Sequence, residues 1–194
     1  MNEFNLIRYC SILSIVLAAF SVEAQSVDAR LVADEKKGEW TLFVIPDTQH
    51  YSQNRGNAPI AYMNTAFDWL LDTRDQLNIK FVQGLGDITE SSSNANEWNR
   101  ASAAWNKLYG QIPFAVNQGN HDSILSINKY FPVANFSDEP WWGGSYQGIH
   151  NSYQKFNFYG EDFLFVNIQS HDPWGTDNPD RKSTRLNSSH VRIS

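Results

Sequence analysis

Pro113-Phe114-Ala115-Val116-Asn117-Gln118-Gly119-Asn120-His121-Asp122 is the stretch that decides the fold. It opens on a short apolar run, Pro113 to Val116, that reads as a strand, and it breaks into Gly-Asn-His-Asp. Two earlier stretches follow the same plan. Leu42-Phe43-Val44-Ile45 leads into Pro46-Asp47-Thr48-Gln49, and Phe81-Val82-Gln83 leads into Gly86-Asp87-Ile88-Thr89. Strands of this kind in an α/β fold deliver their trailing loops to one crevice, where ligands bind. Asp47, Gln49, Asp87, Asn120 and His121 are thereby expected in one place. Carboxylates, amides and one imidazole together point to a metal site built mainly on oxygen.

The segments between these strands read as helices. Ile60, Met63, Phe67, Leu70, Leu71 and Leu77 recur at three- and four-residue intervals. Ser91-Ser92-Ser93-Asn94 offers cap chemistry before a second helix that buries Trp98, Ala101, Trp105 and Leu108, with Gly110 to end it. Strand, helix, strand, helix, strand implies parallel pairing with right-handed crossovers. Trp40 to Ile45 is continuously apolar, which predicts burial on both faces. Further on, Tyr153 to Phe158 alternates aromatic and polar residues, Gly160-Glu161-Asp162 turns the chain, and Phe163 to Ile168 is again apolar, so a hairpin joining a sheet is expected. Trp141-Trp142-Gly143-Gly144 is either a packed loop or the wall of a cleft.

Composition bounds the function. The chain has 194 residues and a formal charge of −6. Residues 25–180 carry ten Lys/Arg against nineteen Asp/Glu, a net −9 that repels a polyanion, so no nucleic-acid partner is expected. Arg8, the apolar run Ile12 to Val22 and Val22-Glu23-Ala24 form the pattern of a secretory signal peptide over 1–24, too short to span a bilayer. The alternative is an N-terminal membrane anchor. Export to the periplasm or the medium follows from the first reading, with no stable membrane insertion after cleavage. The only cysteine, Cys10, lies just before that run and within 1–24, so the mature chain is expected to have no disulfide. Residues 25–39 are a polar lead-in and 40–180 the domain. Residues 181–194 hold four Lys/Arg, no acid and no aromatic ring, and read as a non-native tail, the alternative being a native basic one.

The three motifs together resemble the calcineurin-like metallophosphoesterases, which place Asp-x-His, Gly-Asp and Gly-Asn-His-Asp/Glu after successive strands. Gly119-Asn120-His121-Asp122 is the most specific match, and Asp47-Thr48-Gln49 is similar to members with Asp-Thr-Gln in place of Asp-x-His. The resemblance implies an αββα sandwich of strand-helix-strand units with metal ligands at the strand ends. It also implies two divalent ions (manganese, iron or zinc) that activate a water for hydrolysis of a phosphate ester. On that basis Asp47 holds one ion, Asp87 bridges both, Asn120 holds the other, and His121 is the general acid, with Glu90 or Asp122 orienting its ring. Gln49 either ligates or stands behind a ligand. As an amide it biases the first site towards manganese, iron or magnesium rather than zinc. His50, His150 and His190 are read as exposed or incidental. His171 follows a strong strand but no motif covers it. The family also needs a histidine after a later strand and a final Gly-His-x-His, and neither occurs in these 194 residues. The resemblance spans about residues 40–172. It implies the N-terminal half of a catalytic domain, an exported phosphoesterase that is truncated and inactive as this chain. The alternative is a non-catalytic binding or scaffold domain that keeps the fold. Mature protein recovered after export is predicted to begin at Gln25, and N-terminal sequencing that finds Met1 intact rules the signal peptide out.

Overall fold

A computed structural model describes residues 27–29, 31–169 and 190–193. The chain divides after Arg30, and all the elements below belong to the unit Leu31–Ser194. The expected signal peptide (1–24), His171 and residues 181–189 lie outside the described residues.

The fold is mixed α/β with two sheets. Strands β1 (Thr41–Ile45), β2 (Ile79–Gly84) and β3 (Phe114–Ala115) form a parallel sheet in the order β1-β2-β3. Four helices accompany them: α1 (Gln49–Gln53), α2 (Ile60–Thr73), α3 (Ala95–Trp105) and α4 (Ile124–Tyr130). The crossovers α2 and α3 pack on one face of this sheet. Phe67 of α2 meets Trp105 of α3 edge to face at 5.0 Å, and Trp105 stacks on Phe114 of β3 at 5.6 Å. Met63, Phe67 and Leu70 are buried as their spacing predicts, and so are Trp98, Ala101, Trp105 and Leu108. Helix α2 ends at Thr73, so Leu77 fills the core from the turn that follows.

The second sheet is antiparallel, β4 (Trp142–Ser145), β5 (Ser152–Phe158), β6 (Glu161–Asn167) and β7 (His190–Ile193), in that order. The expected hairpin is β5–β6, and it builds this separate sheet instead of extending the parallel one. Its turn is Tyr159-Gly160, both with positive φ (54° and 89°), so Glu161 and Asp162 already belong to β6. Two consecutive left-handed residues match the twist of a tight hairpin. The sheets meet through aromatic rings. Phe81 of β2 lies 4.6 Å from Phe165 and 5.1 Å from Phe156, centroid to centroid. Trp141 stacks on Phe156 and Trp142 on Phe136, so both tryptophans pack against core rings, and Trp141 also lines a cavity beside Tyr109 and Pro113.

Two expectations need correction. Strand β1 is not buried on both faces: only Ile45 is buried, and Val44 is 42% exposed. The reason is position, because β1 is an edge strand of its sheet. His150 is not exposed but fully buried. Asn128 explains how it is held: its Oδ1 accepts from the Ile149 N–H (2.9 Å), which leaves its Nδ2 to donate to His150 Nδ1 (3.3 Å). Among the described residues no helix is long and apolar enough to cross a membrane.

Burial lowers the His150 pKa below its ordinary 6.5. The folded chain therefore resists a proton that the unfolded chain accepts. The stabilisation is complete above pH 6.5 and is lost as the pH falls from there towards the folded-state value. Urea midpoints for wild type and His150→Gln are predicted to converge between pH 7.5 and 5.5; a constant gap refutes this.

Candidate metal centre

The three motif loops leave the same end of the parallel sheet, the first two tied by main-chain bonds and the third joined through the Asp87 and Asp122 carboxylates. Beyond the last ladder pair, Leu85 N donates to Ile45 O (3.0 Å), so the β1 and β2 loops start in register. Thr48 N then donates to Asp87 O (3.1 Å), and its Oγ1 to Ile88 O (3.3 Å). These bonds carry the first motif against the second. Asp47, just before Thr48, stays exposed at the mouth.

The second and third loops approach more closely. A Cβ on Gly86, which has φ +104°, would lie 2.5 Å from Gly119 N, and one on Gly119 would collide with the Asp87 carboxylate and main chain. Only glycine allows this contact. Asp87 itself has φ +47°. A non-glycine residue in the left-handed region costs about 1–3 kcal/mol and persists where the surroundings impose it, commonly at functional sites. Here the surroundings are on both sides: Asp87 O accepts from Thr48, and Asp87 Oδ1 accepts from His121 N (2.9 Å).

Asp122 completes the lacing. Its carboxylate, 6% exposed, accepts from Ile88 N (3.1 Å), Thr89 N (3.0 Å), Thr89 Oγ1 (3.2 Å) and Gly119 N (3.1 Å). Desolvation raises its pKa against these donors, and the charge of Asp87 pushes the same way. Asp122 is thus a clamp between loops, not the partner of the His121 ring. That partner is the main chain of Glu90, whose carbonyl lies 3.0 Å from His121 Nδ1. A carbonyl only accepts, so Nδ1 carries the proton and Nε2 is the outward nitrogen. The hydrogen bond to Glu90 raises the His121 pKa; desolvation opposes, and the charges of Asp87, Glu90 and Asp122 add to the rise. The Glu90 carboxylate is a neighbour to two rings, Oε2 standing 3.7 Å from His121 Nδ1 and 3.8 Å from His50 Nδ1.

One contributor has no place in the motif reading. Glu97 on α3 is 2% exposed, and its Oε2 accepts from both Glu90 N and Ser91 N (2.9 Å each) while Oε1 accepts from Asn94 Nδ2 (2.8 Å). It anchors the segment that presents the Glu90 carbonyl. The spacing Asn94-x-x-Glu97 is a helix-capping signature that points to it.

The donor set fits a cation that prefers oxygen. Gln49 Oε1 is buried with no hydrogen-bond partner, an arrangement that costs free energy unless a ligand satisfies it. Asn120 is exposed and, like Asp47, has no side-chain hydrogen bond or ion pair among the described residues. Among the described residues no three His, Cys, Asp or Glu side chains converge to hold a metal, so a cation here would need the amides of Gln49 and Asn120 beside Asp47 and Asp87.

No family model matches the chain. It is 29% identical to the uncharacterized protein YvnB of Bacillus subtilis (strain 168) over 161 residues, an alignment that covers 78% of this chain and 12% of that protein. The chain therefore spans about an eighth of the length of the curated relative it matches.

Removing the Asp122 carboxylate strands the buried N–H groups of Ile88, Thr89 and Gly119. Asp122→Ala is expected to cost at least about 1–3 kcal/mol, read from urea unfolding. His121→Ala removes a half-exposed ring and is expected to cost about 0.5 kcal/mol or less. Equal losses contradict the clamp assignment.

Proposed function

We propose that this chain carries the metal-binding half of an exported phosphoesterase site with the calcineurin-like arrangement, its layers those of an αββα sandwich. One observation supports this above the others. The left-handed Asp87 is held from both sides, by Thr48 of the first motif and His121 of the third. Backbone strain at a carboxylate where three strand-end loops meet has no use in packing and suits a ligand site.

Asp47, Gln49, Asp87 and Asn120 would hold the ions, with Asp87 shared between them. Two bound divalent cations would neutralise the phosphoryl oxygens and activate a water nucleophile. The chain's own residues supply the rest. Glu90 fixes the His121 tautomer through its carbonyl, and Glu97 fixes Glu90. His121 Nε2 then faces outward to give a proton to the leaving oxygen. Asp122 keeps the second and third loops at the spacing this requires. The substrate is a phosphate ester, and the acidic body disfavours nucleic acid.

A second reading, a binding or scaffold domain without hydrolysis, is favoured by the absence of three converging acid or histidine side chains among the described residues. Mutants separate the two. In the full-length protein, Asp87→Asn is expected to strip metal and activity together. His121→Ala is expected to spare metal content and lower turnover on the order of 10²–10⁴, less for aryl phosphates, whose leaving groups need little protonation. Elemental analysis and rates on aryl and alkyl phosphates test this. Metal binding with no hydrolysis by the full-length wild-type protein selects the scaffold reading.

A further inference from the structure

The layer between the two sheets changes character along its length. Side chains two residues apart on a strand share a face, so Phe81 and Gln83 look inward from β2, Gln154 and Phe156 from β5, and Phe165 and Asn167 from β6. The rings Phe81, Phe156 and Phe165 fill one end. At the other end, where β2 runs out towards Asp87, the layer is made of amides. Gln83, Ser152, Gln154 and Asn167 are 3%, 3%, 0% and 1% exposed. They form a connected chain. Gln83 Nε2 donates to Asn167 Oδ1 and to Gly84 O, each at 2.7 Å. Asn167 Nδ2 donates to Gln154 Oε1 (2.9 Å) and Ser152 Oγ (3.4 Å), and Gln154 Nε2 donates to Ser152 Oγ (3.1 Å).

Apolar side chains would fill this space without the desolvation that amides suffer. A satisfied polar network instead fixes one arrangement of its members. Its outer contact is the Gly84 carbonyl, three residues before Asp87, at the point where the chain leaves the sheet. We propose that Asn167 is a positioning residue for the metal loop: acting through Gln83, it fixes the Gly84 carbonyl and so the direction in which Gly84-Leu85-Gly86 delivers Asp87. The antiparallel sheet thereby takes part in the site without contributing a ligand. This rests on the metal-site reading above.

The test uses the 194-residue chain, Mn²⁺ alone as probe, and binding measured by electron paramagnetic resonance beside urea unfolding. Asn167→Leu, and the near-isosteric Gln83→Met should Asn167→Leu fail to fold, are expected to weaken Mn²⁺ by about 10–100-fold, the scale for residues that orient ligands from behind. Ser152→Ala removes an acceptor shared by Asn167 Nδ2 and Gln154 Nε2 but leaves the Gln83–Asn167 contact. It is expected to lower stability while keeping Mn²⁺ affinity within about twofold, well short of the loss expected behind a ligand. Affinity that follows stability alike in all three variants makes the network merely structural and overturns the inference, leaving the metal site standing. Wild-type chain that binds no Mn²⁺ overturns both.

Discussion

Asp122 places a carboxylate among main-chain N–H groups that have no other partner, and much of the site depends on that contact. A carboxylate is the only side chain with enough acceptor capacity to serve Ile88, Thr89 and Gly119 together. It holds the second and third loops together where Gly86 and Gly119 approach closely, beside the left-handed Asp87. Burial penalises the charge on Asp122, yet the donors make it the group around which two otherwise independent loops can settle. The backbone strain at Asp87 is tolerable because these bonds over-determine its conformation.

The same economy of one group serving several ends recurs one layer out. Glu97 caps its helix region, anchors the segment after Asp87, and thereby sets the carbonyl that orients His121. An imidazole held by a main-chain carbonyl is oriented by the fold itself, so the length of the Glu90 side chain matters less than a motif comparison suggests. The carboxylate is released for a different neighbourhood, between His121 and His50.

The exposed edge at β1 and the amide layer between the sheets mark the two places where the hydrophobic pattern misleads. Val44 belongs to an apolar run and pairs with the inward-facing Gln83, yet it is 42% exposed because no strand flanks β1 on its outer side among the described residues. Gln83, Gln154 and Asn167 are polar yet point inward from their strands, since inward polar groups are stable when they satisfy one another.

The sequence by itself determined the parallel strand-helix-strand units, the rings that cover them, and the identities Asp47, Asp87, Asn120 and His121 at strand ends. These follow from local periodicity and from turn chemistry, which need no knowledge of distant residues. Only the tertiary structure decided that Asp122 clamps loops and does not hold the ring, that the Glu90 main chain does, that the hairpin founds a second sheet, and that His150 is buried against Asn128. Each of those outcomes turns on which groups meet across the chain, the hydrogen bonds concerned spanning 22 to 84 positions. Pairings at that range are settled by burial and hydrogen-bond satisfaction in the assembled core, and no local pattern records them.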